Sequence, residues 1–238
     1  KRIIELEKMA TWQQLARKLA HEIKNPLTPI QLMAQQMRDK YDGQNNEYEA
    51  MLSECCTIIE DEVGSLQRLV KEFSDFARMP KPSKQRLQLN EVVESSVALY
   101  KGTIELECDL EDALPDIEAD RDQLTQVLLN LLVNARDAVS GAGTEPVKMR
   151  IATRLVGNAI EVSVADNGPG IPEELREKIF TPYFTTKGQR GTGLGLATVH
   201  RIVSDHGGRI RVERDAELGG ARFVLALPFG QTPLSLTR

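Results

Sequence analysis

Cysteine is nearly absent from this chain of 238 residues, which holds three. Cys55 and Cys56 are adjacent and Cys108 lies far from them, so the set lacks the spacing of a zinc site and is expected as reduced, buried thiols. Long apolar runs are missing too. No stretch approaches the ~20 residues that cross a bilayer and no signal peptide opens the sequence, so the chain is expected in the cytoplasm without direct membrane contact. A basic tract is the third absence. With a formal net charge of -5 the chain has no general attraction for nucleic acid or anionic lipid, and no nucleic-acid partner is expected. The sequence begins at Lys1 rather than methionine and is read as a piece of a longer protein, whose own anchoring in an inner membrane stays open. What is present, 41% hydrophobic and 27% charged residues, is the make-up of a globular protein of one or two domains.

From Met9 the apolar positions fall at Trp12, Ala16, Leu19, Ile23, Leu27, Ile30, Ala34 and Met37, in steps of three or four, which predicts a helix with one apolar stripe. Two successive steps of four, Leu19 to Ile23 to Leu27, break the heptad where Pro26 removes a backbone hydrogen bond, so a bend is expected there. His21 lies between Leu19 and Ile23 and, at ~100° per residue, points away from the stripe into water. Tyr41 to Asn46 reads as a turn. A second helix, with Leu52, Cys55, Ile59, Glu62, Leu66, Leu69, Phe73 and Phe76 in phase, can pair antiparallel with the first. Such a hairpin has too little core alone. Its remaining apolar positions, including Met51, Ile58 and Val70, are satisfied if two copies form a four-helix bundle, so a homodimer is predicted.

Residues 1–79 are thus read as a dimerising helical hairpin and 80–86, within a segment rich in proline and basic residues (MPKPSKQR), as a linker. Over 87–230 the pattern changes to mixed strands and helices, and 231–238 reads as a loose tail. Strands are expected at 87–89, 104–108, 117–119, 148–155, 159–165, 209–214 and 222–226, with helices at 91–100, 121–140, 173–179 and 194–205. Asp120 with Gln123 makes a capping-box-like start to the second of these helices. The expected fold is α+β, a mixed sheet with helices on one face.

Chemistry-bearing residues fall in separate places. In the first helix His21, a candidate nucleophile, is followed by Glu22, a candidate base, and one turn later by Asn25 on the same side. Asn130 and Asn134 stand four apart in an otherwise leucine-rich helix, where a pair of amides is costly unless something pairs with it. An amide oxygen suits Mg²⁺, which keeps several waters and takes few protein donors beside substrate phosphates. Asp166 ends an apolar strand and is followed by Gly168 and Gly170 around a proline, a tight turn through which a ligand can approach; a strand-end aspartate can accept from an exocyclic amine. Gly191, Thr192, Gly193, Leu194 and Gly195 lead straight into a helix, the arrangement that holds phosphate with backbone donors, although it is neither a Walker loop nor a dinucleotide fingerprint. Between these loops the TPYFTTK segment reads as a mobile lid whose Lys187 can reach a terminal phosphate.

In this order the motifs resemble those of the sensor histidine kinases of two-component systems: an H box at His21, an N box from Asn130 to Ala135, a first glycine box from Asp166 to Gly170, an F box from Phe180 to Phe184 and a second glycine box from Gly191 to Gly195. The resemblance covers nearly the whole chain, and the surroundings of His21 and the NARDA and TPYFTTK segments look most like nitrogen-regulation sensors of the NtrY and NtrB type. It implies a dimerisation and histidine-phosphotransfer hairpin followed by a Bergerat-fold (GHKL) ATP-binding domain. It further implies ATP with adenine on Asp166, Mg²⁺ on Asn134 with help from Asn130, phosphates along the loop from Lys187 to Gly195, and a response regulator as partner. His21 would attack the γ-phosphate with Glu22 accepting its proton, and Asn25 would orient water for dephosphorylating the regulator. Two departures stand out: Asp137 occupies a position that is basic in many relatives, and Ala221 follows Gly220 where threonine is common. Bergerat ATPases resemble this chain in the nucleotide boxes but carry a glutamate at the place of Asn130, which favours transfer over hydrolysis here. A nucleotide-binding scaffold without transfer is the other alternative.

Overall fold

A computed structural model describes residues 23–40, 46–100, 102, 104–144, 146–187 and 191–230. His21, Glu22, most of the turn expected at Tyr41 to Asn46 and the tail at 231–238 lie outside the described residues. The chain divides into two units, Lys1–Met79 and Pro80–Arg238.

The first unit contains α1, described over residues 23–39, and α2, Asn46–Arg78. The helical path of α1 continues through Pro26, which is buried. Its inward positions are Ile23, Pro26, Ile30, Met33 and Met37, while Leu27 and Ala34, expected in the stripe, are exposed. The observed steps of three and four alternate without the stutter, because a seam facing one partner helix is narrower than the whole apolar surface. Tyr48 Oη donates to the Met37 carbonyl at 3.1 Å, tying α2 to α1. Cys55 and Leu69 are buried, whereas Leu27, Leu32, Leu52, Val63 and Val70 remain exposed. Among the described residues no helix is long and apolar enough to cross a membrane.

The second unit is built on a five-stranded mixed sheet in the order β2 (Glu105–Leu110), β4 (Lys148–Val156), β5 (Ala159–Asp166), β7 (Ala221–Pro228), β6 (Arg209–Arg214). Only β2 and β4 run parallel; the β4–β5, β5–β7 and β6–β7 pairs are antiparallel. A parallel pair needs a crossover, and α4 (Arg121–Gly141) supplies it. α3 (Leu89–Val97) and α5 (Gly195–Asp205) are the other helices. The central strand β5 alternates with period two: Ile160, Val162, Val164 and Asp166 share one face, all buried. The opposite surface carries ion pairs, including Lys148–Glu105 at 3.2 Å, Arg150 between Glu107 (2.9 Å) and Glu217 (2.7 Å), and Arg211–Glu161 at 2.8 Å. The segment expected as a helix at 173–179 is instead two short 3₁₀ turns, Glu173–Leu175 and Lys178–Phe180.

Residues 85 and 86, read as the end of the linker, belong to strand β1 (Gln85–Leu87), which pairs with β3 (Ile117–Ala119). The proline-rich segment before it is also tied down. Asp120 caps α4 by accepting from Gln123 N at 3.1 Å, and its other oxygen accepts from Ser83 N at 2.8 Å. The expected reciprocal half of the capping box is replaced: Gln123 Nε2 donates to the Pro80 carbonyl at 3.1 Å, and Asp120 N donates to His206 Nε2 at 3.0 Å. His206 Nδ1 lies 2.8 Å from the Ile202 carbonyl and must donate to it, so the ring is neutral and Nε2 is its acceptor. Burial holds the His206 pKa below its ordinary value, and Lys84 adds to this, against the hydrogen bond to Ile202 and the charges of Asp120 and Asp205. The unfolded chain therefore binds more protons than the folded one just below pH 6.5, and stability must fall as pH drops through the lowered pKa. Thermal melts of the domain over pH 5 to 7 are expected to show this loss in the wild type and a smaller one in His206→Gln, which cannot take up a proton.

Candidate functional site

Asp166 is the most enclosed charged group of the second unit, at 2% exposure. Its Oδ1 accepts from Gly168 N at 2.8 Å and Ala221 N at 3.2 Å; among the described residues no hydrogen bond reaches Oδ2. Burial raises the carboxyl pKa, the two N–H donors pull it down, and the nearby Asp215 charge pushes it up again. A ligand N–H donated to Oδ2 would offset the remaining desolvation. The carbonyl of Asp166 is also used, accepting from Gly220 N at 3.1 Å.

The turn that brings Gly220 and Ala221 to Asp166, residues 215–220 between β6 and β7, is folded by its own aspartate. Asp215 is buried and its Oδ1 accepts from Glu217 N at 3.0 Å and Leu218 N at 2.7 Å. A Cβ on Gly220 would sit 2.3 Å from both the carbonyl oxygen and Oδ1 of Asp166, and 2.6 Å from Gly168 N. Gly220, Ala221 and Asp215 are thus site-forming residues that the sequence motifs underrated. The glycine pair at 219–220 just before a strand was the available signal. Ala221 acts through its backbone, so the missing threonine hydroxyl does not interrupt this contact.

The second part of the site is at the start of α5. Leu194 caps that helix without a side-chain hydrogen bond, and the first intrahelical bond is from Thr198 N to the Leu194 carbonyl at 2.9 Å. The N–H groups of Gly195, Leu196 and Ala197 therefore precede the helical ladder and are available to an anion. The Leu194 side chain is buried, so only its backbone faces this region. Asn130 and Asn134 converge here from α4: a Cβ on Gly195 would lie 3.8 Å from Asn130 Oδ1 and from Asn134 Nδ2. Both amides are half-buried.

Above them lies the expected lid. Tyr183 adopts φ 63, a left-handed conformation rare for a bulky residue, and its N donates to the Gly193 carbonyl at 2.8 Å. A Cβ on Gly193, itself at φ +67, would meet the Tyr183 backbone at 2.5 Å, so the lid and the glycine loop close on each other through backbone alone. Thr192 Oγ1 accepts from Leu194 N at 3.3 Å, and Thr185 Oγ1 approaches Gly191 closely enough to exclude a Cβ there. Lys187 reaches down to α4, with Nζ 3.4 Å from Asn134 Oδ1 and 3.2 Å from Asp137 Oδ2. Gly170, at φ +79, turns the chain beneath the 219–220 pair. Among the described residues no three His, Cys, Asp or Glu side chains are placed to hold a metal; amide oxygens on α4 are the hard donors present.

The second unit thus carries a strand-end carboxylate, an uncapped helix N-terminus and an amide pair on a neighbouring helix, and residues 119–231 match the family model described as histidine kinase-, DNA gyrase B- and HSP90-like ATPase. Residues 11–82 match the His Kinase A phospho-acceptor domain. The chain belongs to the histidine kinases. It is 37% identical to the nitrogen regulation protein NtrY of Azorhizobium caulinodans over 94% of this chain and 30% of that protein, and 37% identical to the sensor kinase ZraS of Escherichia coli over 95% and 47%. It therefore spans less than half the length of these relatives. The catalytic domain of the histidine kinase ThkA superposes with a TM-score of 0.55 at 36% identity, over 62% of this chain and 96% of that one. ThkA in complex with the response regulator protein TrrA gives 0.71 at 29% identity, over 94% and 64%.

Gly220→Ala should destabilise the domain by about 2 kcal/mol or more, since the added methyl meets backbone atoms that cannot move aside. Gly219→Ala, at φ +80 in open space, should cost only the left-handed backbone penalty of about 1–2 kcal/mol. Urea denaturation of the two variants checks the order.

Proposed function

We propose that the chain is the catalytic core of a two-component sensor kinase, which phosphorylates its own His21 from ATP and passes the phosphoryl group to an aspartate of a response regulator. The observation that carries this reading is the convergence of Asn130, Asn134 and Lys187 on the uncapped start of α5, a cluster suited to a polyphosphate with its cation. Adenine is assigned to Asp166, whose Oδ2 can accept from its exocyclic amine, with Gly168 and Gly170 keeping the approach clear. The phosphates are assigned to Gly191, Thr192, Gly193, Leu194 and Gly195 through their backbone, and to Lys187.

Mg²⁺ fits the amide oxygens of Asn134 and Asn130, and would neutralise charge on the transferring phosphate. One ring nitrogen of His21 attacks the γ-phosphorus, the bond to the β-bridging oxygen breaks, and ADP leaves with that electron pair. The proton on the other ring nitrogen passes to Glu22. An imidazole with an ordinary pKa of ~6.5 is largely neutral at cellular pH, so little further activation is needed. The exposed Leu27, Leu32, Leu52, Val63 and Val70 on the hairpin support a homodimer that buries them in a four-helix bundle. The relation to ThkA, whose complex holds a response regulator, supports docking of such a partner.

Incubation with γ-labelled ATP is expected to leave acid-labile label on the wild type and none on His21→Gln; release of free phosphate alone would mean an ATPase, and neither product a scaffold. Asn25, exposed on α1 and four residues after His21 in sequence, is assigned to orient water against the phosphorylated regulator. Asn25→Ala should therefore slow regulator dephosphorylation by about 10²-fold while leaving His21 labelling near wild type; an unchanged dephosphorylation rate removes Asn25 from that role.

A further inference from the structure

Asp137 is the one residue of the α4 cluster that the reading above leaves without a task. Its Oδ1 accepts from Arg136, with Nη2 at 3.0 Å and Nε at 3.3 Å, which fixes the plane of the carboxylate. Its Oδ2 faces Lys187 Nζ at 3.2 Å, and the same ammonium is 3.4 Å from Asn134 Oδ1. Asn134 and Asp137 thus already hold one cation between an amide oxygen and a carboxylate oxygen, and that cation is the protein's own. Once Lys187 turns to a terminal phosphate, those two oxygens lose it. A carboxylate oxygen that has lost its cation beside a polyphosphate would repel the ligand, unless another positive charge takes the lysine's place.

We propose that Asp137 is a further protein donor, the first carboxylate, to the divalent cation that accompanies the nucleotide, exchanging Lys187 for the metal when the nucleotide binds. The inference rests on the proposed ATP and Mg²⁺ site. The donor set suits it: amide and carboxylate oxygens are hard ligands, and Mg²⁺ is typically held by one or two carboxylates with substrate phosphates. Arg136 keeps its hold on Oδ1 throughout and leaves Oδ2 for the exchange. Asp137 then serves two states with one oxygen, closing the lid lysine down in the absence of nucleotide and adding charge to the metal site in its presence.

The test is equilibrium binding of a fluorescent, non-hydrolysable ATP analogue to the full chain, titrated with Mg²⁺ and repeated in EDTA. Asp137→Asn is expected to raise the Mg²⁺ concentration at half-effect by about tenfold, yet to tighten binding in EDTA, because a negative charge beside the phosphates is gone. If Asp137 only restrains Lys187, the variant tightens binding under both conditions and the proposal fails. It also fails if the Mg²⁺ midpoint moves by less than about twofold. Repeating the titration on Lys187→Met keeps the two roles apart: a metal donor still shows the Mg²⁺ shift when Asp137→Asn is added, and a lysine restraint shows none. Wild-type binding that is indifferent to Mg²⁺ would overturn the site reading itself, and this inference with it.

Discussion

The carboxylate of Asp166, enclosed at the end of the central strand, constrains the rest of the catalytic unit. A charge in that position is costly unless donors reach it, and among the described residues no lysine or arginine supplies them. Two backbone N–H groups do, from Gly168 and Ala221, on opposite sides of the strand end. Backbone donors can approach so closely only where side chains are missing, which places Gly168 and Gly220 where they are. The Asp215 turn then exists to present Gly220 and Ala221 at the right height. Because both of these donors fall on Oδ1, the second oxygen receives no hydrogen bond among the described residues and is left open to a further N–H.

A related logic governs the other end of the site. The first N–H groups of α5 carry no side-chain cap, and the lid meets the glycine loop through backbone contacts at Tyr183 and Gly193. Both features leave donors aimed at a shared space. α4 frames that space from the opposite side, and its N-terminus is gripped by the segment that precedes β1: Ser83 on Asp120, Pro80 on Gln123, with His206 behind them. Asn134 lies about 20 Å further along the same rigid helix. The segment at 80–83 and the amides therefore sit on the same helix, which carries Asn130, Asn134 and Asp137.

Much of this was legible in the sequence because the relevant residues break local rules. Two asparagines in phase within a leucine-rich helix, an aspartate closing an apolar strand and glycines running into a helix are each unfavourable without a ligand, and each takes its expected place. The mixed sheet followed from the change of period after the prolines. Pairing over long sequence distances leaves no such local mark. Asp120 was read as half of a local capping box, but its other partners come from residues 83 and 206. The segment 173–179 has helical composition yet forms two 3₁₀ turns. On α1 the apolar surface is wider than one seam, so periodicity could not tell Leu27 and Ala34, which are exposed, from Pro26 and Met33, which face inward.

The choice between phosphoryl transfer and hydrolysis comes down to which side chain can take a proton. Hydrolysis needs a base beside the attacking water, and the amide of Asn130 cannot serve. Asp137 is the only carboxylate among the described residues that touches the amide and lysine cluster, and both its oxygens are committed to cations, Oδ1 to Arg136 and Oδ2 to Lys187. The sequence does place an imidazole next to a carboxylate, but on another unit, at His21 and Glu22. The lack of a base among the α4 residues, set beside that pair, is what favours the proposed transfer over hydrolysis.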